Sequence, residues 1–396
     1  MMKRAIVLLL ILMLATGCWN RKELDEISIA TAIGIDKKGD NYSISVQLLN
    51  TDEITSTKGG NQRMPVVTLQ LSSGNTIFES FRKLTTSSPR KILSSHLRIL
   101  VIGEDVAKEG IANVLDLLSR DHELRSDFNI LLARNATAND ILQVLTPLEK
   151  IPANKLYSSL ISSEKNWGVT TNVDLHQLIY DLVDAGKDPV LSSIHIKGDS
   201  LKAKSRENLS SVLPPATLEY KGLGVFHRDH FVGWLTDRES KGYNYAINNI
   251  KSTVIALPCQ QSKGLMSIEL MSSRSKLKVK FVDNQPRVFI NLRAEANIGE
   301  VACELDLNST KTIQAIEEQL NEEIKGTILD SVAKAKSYKS DIFGFGAAIH
   351  RANYKQWHLM KDNWDQTFAH LPVEVTVQSK IRRTGSVVES FIDKME

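Results

Sequence analysis

The chain has 396 residues, 42% of them hydrophobic and 24% charged, with a formal net charge of +3. This length suits two or three domains of about 100–200 residues, and the composition is that of ordinary globular protein. A near-neutral balance gives no case for nucleic acid as a partner, which needs a concentrated basic face.

The first element reads as an export signal. Lys3 and Arg4 precede an apolar run over 5–15 that ends in Thr16-Gly17-Cys18. A charged start, a short apolar stretch and small residues before the cut describe a cleaved signal. The run falls short of the roughly 20 apolar residues a membrane helix needs. Cys18 after the small residues resembles the lipobox of bacterial lipoproteins. One position departs: Ala15 stands where Leu is usual, and Leu14 lies one earlier. The expectation is a signal peptide over 1–17 and a mature chain tethered by lipid on Cys18. Each buried CH₂ adds roughly 0.8 kcal/mol, so two or more acyl chains hold firmly. No later run is long enough to span a bilayer, so the rest reads as an ectodomain.

Residues 27–49 predict a hairpin, with turn chemistry at Lys37-Lys38-Gly39-Asp40-Asn41. A loop over 51–64 precedes a strand at 66–71. Thr76 and Glu79 suit a capping box, with Phe78, Phe81 and Leu84 on one helical face. Strands at 98–102 and 128–133 alternate with helices over 106–118, 139–145 and 175–183, which argues for a mixed α/β arrangement. The Lys-, Ser- and Asn-rich stretch 198–215 ends in Pro214-Pro215 and reads as a linker. A hairpin follows around Arg228-Asp229. Residues 240–262 hold a short polar helix or strand.

From 264 onward three strands are expected, at 266–270, 277–282 and 288–296, with a turn at Asp283-Asn284-Gln285-Pro286. Ile313, Ile316, Leu320, Ile324, Ile328 and Val332 then mark the strongest helix of the chain. A shorter helix over 341–350 and a strand from Val373 complete the pattern. The fold class is therefore α+β or mixed α/β. The boundaries are an N-terminal α/β domain over 18–200, a small middle domain with a hairpin over 201–262, and a C-terminal α+β domain over 263–396. The last of these is an antiparallel-rich sheet with helices packed on one face.

No phosphate loop, Gly-x-Ser-x-Gly elbow, His-Glu-x-x-His, Cys-x-x-Cys or Gly-x-Gly-x-x-Gly occurs. His227 and His230 flank a turn without a third ligand at sensible spacing, so they read as a polar turn. Glu317-Glu318 and Glu322-Glu323 read as a solvated helix face. Cys259 and Cys303, 44 positions apart, are expected as two separate thiols, although an exported chain permits a bond. Trp357 and Trp364 sit in a polar stretch without a clear period. They suit either a lid over the last sheet or a binding hot spot. Trp19, next to Cys18, suits a membrane interface or chance placement.

These residues carry a family resemblance. Cys18-Trp19-Asn20-Arg21-Lys22-Glu23-Leu24, followed by Ala32-Ile33-Gly34-Ile35-Asp36, resembles the start of the mature Ger(x)C lipoproteins, the C subunits of spore germinant receptors. The likeness continues at 222–235, at Asp341-Ile342-Phe343-Gly344-Phe345-Gly346, at Trp357 and Trp364, and at Lys380-Ile381-Arg382-Arg383-Thr384-Gly385. It implies three α/β domains and no enzymatic activity. It implies no cofactor beyond the covalent lipid on Cys18, and attachment to the outer face of the spore inner membrane. The partners it implies are the A and B subunits of a receptor for small nutrient germinants, sensed by the complex and not bound directly by this subunit. Trp357, Trp364, Phe343 and Phe345 are the expected partner-contact surface or its support. The rival reading is a solute-binding lipoprotein of a transporter, which needs two similar lobes around a cleft.

Overall fold

Two mixed β-sheets organise the chain in a computed structural model that describes residues 26–50, 65–259, 263–303 and 305–383. Strands β1 (Ile27–Lys38) and β2 (Asn41–Leu49) form the expected hairpin, and β3 (Val67–Gly74) extends it antiparallel. Helix α1 (Ile77–Lys83) is capped by the Thr76 hydroxyl, which accepts from the Glu79 amide. Its buried stripe is Ile77, Ser80 and Leu84, so Phe78 is exposed where the sequence expects it inside. On the buried face the Ser80 hydroxyl lies within hydrogen-bond distance of the Thr76 and Tyr42 carbonyls.

Strands β4 (Lys91–Leu93), β5 (Ile99–Ile102), β6 (Asn129–Ala133) and β7 (Val190–Gly198) add parallel neighbours. The expected helix over 106–118 is two, α2 (Glu104–Glu109) and α3 (Ala112–Arg120), broken at Gly110 with φ 123°. Helices α4 (Ala138–Leu142), α5 (Pro152–Asn166) and α6 (Leu175–Val183) follow. Val106, Val114, Leu118 and Leu178 cover one face of the sheet, while Ile141, Leu156 and Leu160 cover the other.

Strands β8 (Ala216–His227) and β9 (His230–Trp234) close this sheet antiparallel, giving the order β3-β2-β1-β5-β6-β7-β8-β9 with β4 also on β1. The stretch 198–215 is thus the connection of a β7–β8 hairpin, with Gly198 paired to Ala216. It is fastened by the buried Asn208, whose amide donates to the Leu145 carbonyl and accepts from the Ala216 amide. Helix α7 (Asp237–Ala246) and β10 (Thr253–Pro258) then lead into the second sheet. Among its described residues, the expected middle segment 201–262 forms no sheet of its own. Its hairpin ends the first sheet and β10 starts the second.

The second sheet runs β10-β11-β12-β13 with β11 (Leu265–Val282), β12 (Gln285–Val301) and β13 (Val373–Arg383); only β12–β13 is parallel. Two expected strands are one 18-residue strand, β11, because the polar stretch between them stays extended. There the Ser275 hydroxyl donates to the Ala246 carbonyl, and the Ser275 amide donates to Asn248. Asp283 and Asn284, at φ 49° and 61°, make the hairpin turn, a geometry that favours Asn and Asp. On the inner face Val288, Ile290, Leu292, Ala294, Ala296 and Ile298 are buried in strict alternation.

Helix α8 (Thr310–Tyr338) lays Ile316, Leu320, Ile324, Ile328 and Val332 on that face, and α9 (Phe345–Ala352), α10 (Tyr354–Met360) and α11 (Trp364–His370) complete the layer. Helix α7 crosses α8 closely: a Cβ on Gly242 would lie 2.1 Å from the Thr327 carbonyl oxygen. The core of the second sheet runs on into Val190, Leu223 and Val225 of the first.

Two side-chain expectations change. Glu317 is buried: its carboxylate accepts from the Ile381 amide at 2.9 Å and pairs with Lys380 at 2.8 Å. With Asn321, which accepts from the Ser379 amide, it satisfies the outer edge of β13. Cys259 and Cys303 are bonded, not separate, because the end of β10 and the end of β12 bring their Cα atoms to 6.6 Å.

Candidate functional site

The motif over 341–346 lies where the two sheets meet. Helix α8 ends at Lys339 in the left-handed region, φ 54°, which turns the chain toward the first sheet. The Ser340 hydroxyl donates to the Phe226 carbonyl of β8. Asp341 and Asp188 are cross-linked twice: the Asp341 amide donates to the Asp188 carboxylate, and the Asp188 amide donates to the Asp341 carbonyl, both at 2.9 Å. Asp188 also accepts from the Arg228 amide at 2.6 Å.

The Asp341 side chain serves the other direction. One oxygen accepts from the Phe345 amide at 3.0 Å. The other accepts from the Gly346 amide at 2.7 Å and from the Trp364 indole at 3.1 Å. Asp341 thus satisfies the first amides of α9 and fixes the Trp364 ring. Burial pushes its carboxyl up to about 7; the Gly346 and Phe345 amides pull it down, and the neighbouring Asp188 charge raises it further.

His227, at the end of β8, lies between two carboxylates, 3.5 Å from Asp188 and 3.4 Å from Asp365 of α11. Its pKa is raised, first by Asp188 and then by the Asp365 charge, against the opposing effect of burial. His230 pairs with Asp229 instead, at 2.8 Å. The two imidazoles therefore take separate acidic partners. Among the described residues no group of three or more His, Cys, Asp or Glu is placed to hold a metal ion.

Glycine is required where the backbones meet. Gly344 adopts φ 70°. A Cβ on Gly346 would lie 2.7 Å from the Gly186 Cα and 2.8 Å from the Trp357 ring. The Ala347 amide donates to the Gly186 carbonyl across the same contact.

The four aromatic residues named from the sequence come together beneath this seam. Phe343 stacks on Phe345 at 5.1 Å, Trp357 meets Trp364 edge to face at 5.1 Å, and Phe345 and Trp364 both approach Phe368. Phe343, Phe345, Trp357 and Trp364 are 6%, 0%, 4% and 5% exposed. All four rings are therefore packed in the interior and not on the surface. The sequence singled out Asp341 within its motif, but not Asp188 or Asp365. Neither stands in a spacing that signals a role, because the fold brings them to the seam from the approach to β7 and from α11.

A second carboxylate anchors the other end of the resemblance. Asp36 accepts from the Ala138 and Asn139 amides at 2.7 and 2.8 Å and so caps α4. Burial raises its pKa, with those amides opposing. Gly34 beside it has no room for a side chain: a Cβ would lie 2.4 Å from the Ser45 hydroxyl. Cys18, Trp19 and the signal lie outside the described residues. Among those described, no helix is long and apolar enough to cross a membrane.

Comparisons with known proteins agree over the whole length. The pattern of the spore germination protein N-terminal domain matches residues 20–196, and that of the spore germination B3/GerAC-like C-terminal domain matches 221–385. The chain is 33% identical to spore germination protein KC of Bacillus subtilis over 387 residues, covering 96% of this chain and 95% of that one. It is 23% identical to spore germination protein B3 of the same organism over 390 residues, covering 96% and 97%. The crystal structure of the GerBC protein shares the fold, with a TM-score of 0.57 at 17% identity, over 88% of this chain and 96% of that one. The chain belongs to the Ger(x)C family of spore germination proteins.

Proposed function

We propose that this chain is the lipid-anchored C subunit of a nutrient germinant receptor. Cys18 holds it on the outer face of the spore inner membrane, and it acts by contacts with the A and B subunits. The observation that carries this reading is the end-to-end likeness to spore germination protein KC, with both family domains present in order. The buried seam supports a contact role and not a catalytic one. Its carboxylates are occupied by backbone amides and an indole, and its aromatic rings are packed away from solvent. The solute-binding alternative needs two like lobes around a cleft. The large mixed sheet and the four-stranded sheet are unlike each other, and a shared core joins them.

The test is retrieval of a tagged chain from detergent-solubilised spore membranes. The expected result is that the A and B subunits accompany it. A stable, membrane-located chain that retrieves neither would sink the proposal.

A further inference from the structure

The outer face of the second sheet carries a row of cations. Alternation along β11 points Arg274, Lys276, Lys278 and Lys280 outward, and along β12 it points out Arg287 and Arg293. The register places Arg274 directly opposite Arg293, and Lys280 opposite Arg287. Like charges facing each other across an antiparallel pair are destabilising. Part of this repulsion is relieved locally: Lys280 lies over the Phe289 ring and Arg287 pairs with Glu374. Among the described residues, Arg274, Lys276, Lys278 and Arg293 form no ion pair with a carboxylate.

These four cations line one cavity of about 1440 Å³. Lys380 and Arg382 of β13 line it too, already paired with Glu317 and Glu295. Gln314, Glu318 and Asn321 of α8 rise along its side. The cavity thus holds six cations against three carboxylates, Glu295, Glu317 and Glu318, and among the described residues four of the cations have no carboxylate in pairing distance. Arg274, Lys276 and Lys278 stand at alternate positions of one strand, a spacing that alternate residues of an extended chain share.

We propose that this groove binds an acidic polypeptide segment of a partner protein. Carboxylates spaced along an extended segment would complete the pairs that Arg274, Lys276, Lys278 and Arg293 lack, and remove the cross-strand repulsion. The proposal deepens the receptor-subunit reading, and the identity of the partner as another receptor subunit rests on that reading. The groove chemistry does not.

The test is fluorescence anisotropy of the purified full chain with a labelled dodecapeptide of alternating Glu and Ser. A Lys–Ser peptide is the control. The expected result is binding of the acidic peptide alone, weakening as salt rises. R274E, K276E, K278E and R293E together should weaken it by about tenfold or more. The matched reversals K38E, K165E, K311E and K355E, which change net charge equally at exposed sites, should leave it intact. Equal loss in both sets would overturn the proposal by reducing it to net charge. Absence of binding by the parent chain would also overturn it. So would binding seen only after removal of 384–396, which would make the chain's own tail the occupant. Capture of phosphatidylglycerol vesicles through the same four residues, without peptide binding, would replace the polypeptide by a lipid surface. Loss of A and B subunit retrieval would instead count against the receptor reading and leave the groove result standing.

Discussion

At the scale of single residues, two carboxylates explain motifs that would otherwise read as chemistry. Asp36 and Asp341 each accept backbone amides at the start of a helix; Asp341 is almost fully buried and Asp36 largely so. Replacing Asp341 by Asn would turn a donor toward the Phe345 amide or toward the Gly346–Trp364 pair. A buried donor left unpaired costs about 1–3 kcal/mol. Chemical unfolding of Asp341→Asn should show a loss in that range, and no loss would contradict the bonding described.

The same residue carries a pH dependence. Its folded pKa of about 7 lies above the ordinary 3.8. Its contribution to stability is therefore full below the ordinary value and is lost as pH rises through about 7. His227, also raised, contributes below its ordinary 6.5 and loses that contribution as pH rises through its folded value. Both act in one direction, so the chain should be less stable near pH 8 than near pH 6. In Asp341→Asn that difference should shrink; an unchanged slope would show that Asp341 does not titrate in this window. Gly346→Ala tests the close approach separately. A methyl 2.7 Å from the Gly186 Cα forces the backbones apart, for an overpacking loss of about 1–3 kcal/mol.

At the scale of elements, the legible parts were those with a clean period. Helix α8 shows its buried stripe at three- and four-residue steps, and β12 shows strict alternation, so both were visible in the sequence. Elements whose buried positions are polar or sparse were not. Strand β7 buries Ser192, whose hydroxyl exchanges bonds with Thr171, so its apolar pattern is interrupted. Helix α5 spaces Ala153, Leu156 and Leu160 among serines, which hides its stripe. The aromatic residues beneath the seam stand out in the sequence by type, but only the fold shows that all four are buried.

The disulfide belongs to this scale as well, because it ties the end of β10 to the end of β12. It closes a 44-residue separation, and such a crosslink adds about 2–4 kcal/mol. Cys259→Ser with Cys303→Ser should lower the unfolding midpoint accordingly, with the fold retained by circular dichroism. Equal stability with and without the bond would remove it from the account.

At the scale of the whole molecule, the two sheets share a core and a hydrogen-bonded seam. The contacts are the doubled Asp188–Asp341 link, Ser340 on Phe226, Gly186 on Gly346, and Asn244, whose amide donates to the Gly168 and Thr170 carbonyls. The proposed tether adds a second physical element. Under the proposed function, a chain held at the membrane would meet spanning partners at high effective concentration, where contacts too weak to form in solution suffice.

The central claim is that a tethered Ger(x)C subunit works by contact at the membrane. Fractionation and germination assays of spores carrying Cys18→Ala test it most directly. The account predicts loss of the subunit from the membrane fraction and slowed germination, with the purified chain still folded. A Cys18→Ala subunit that stays fully in the membrane fraction and supports normal germination would contradict it.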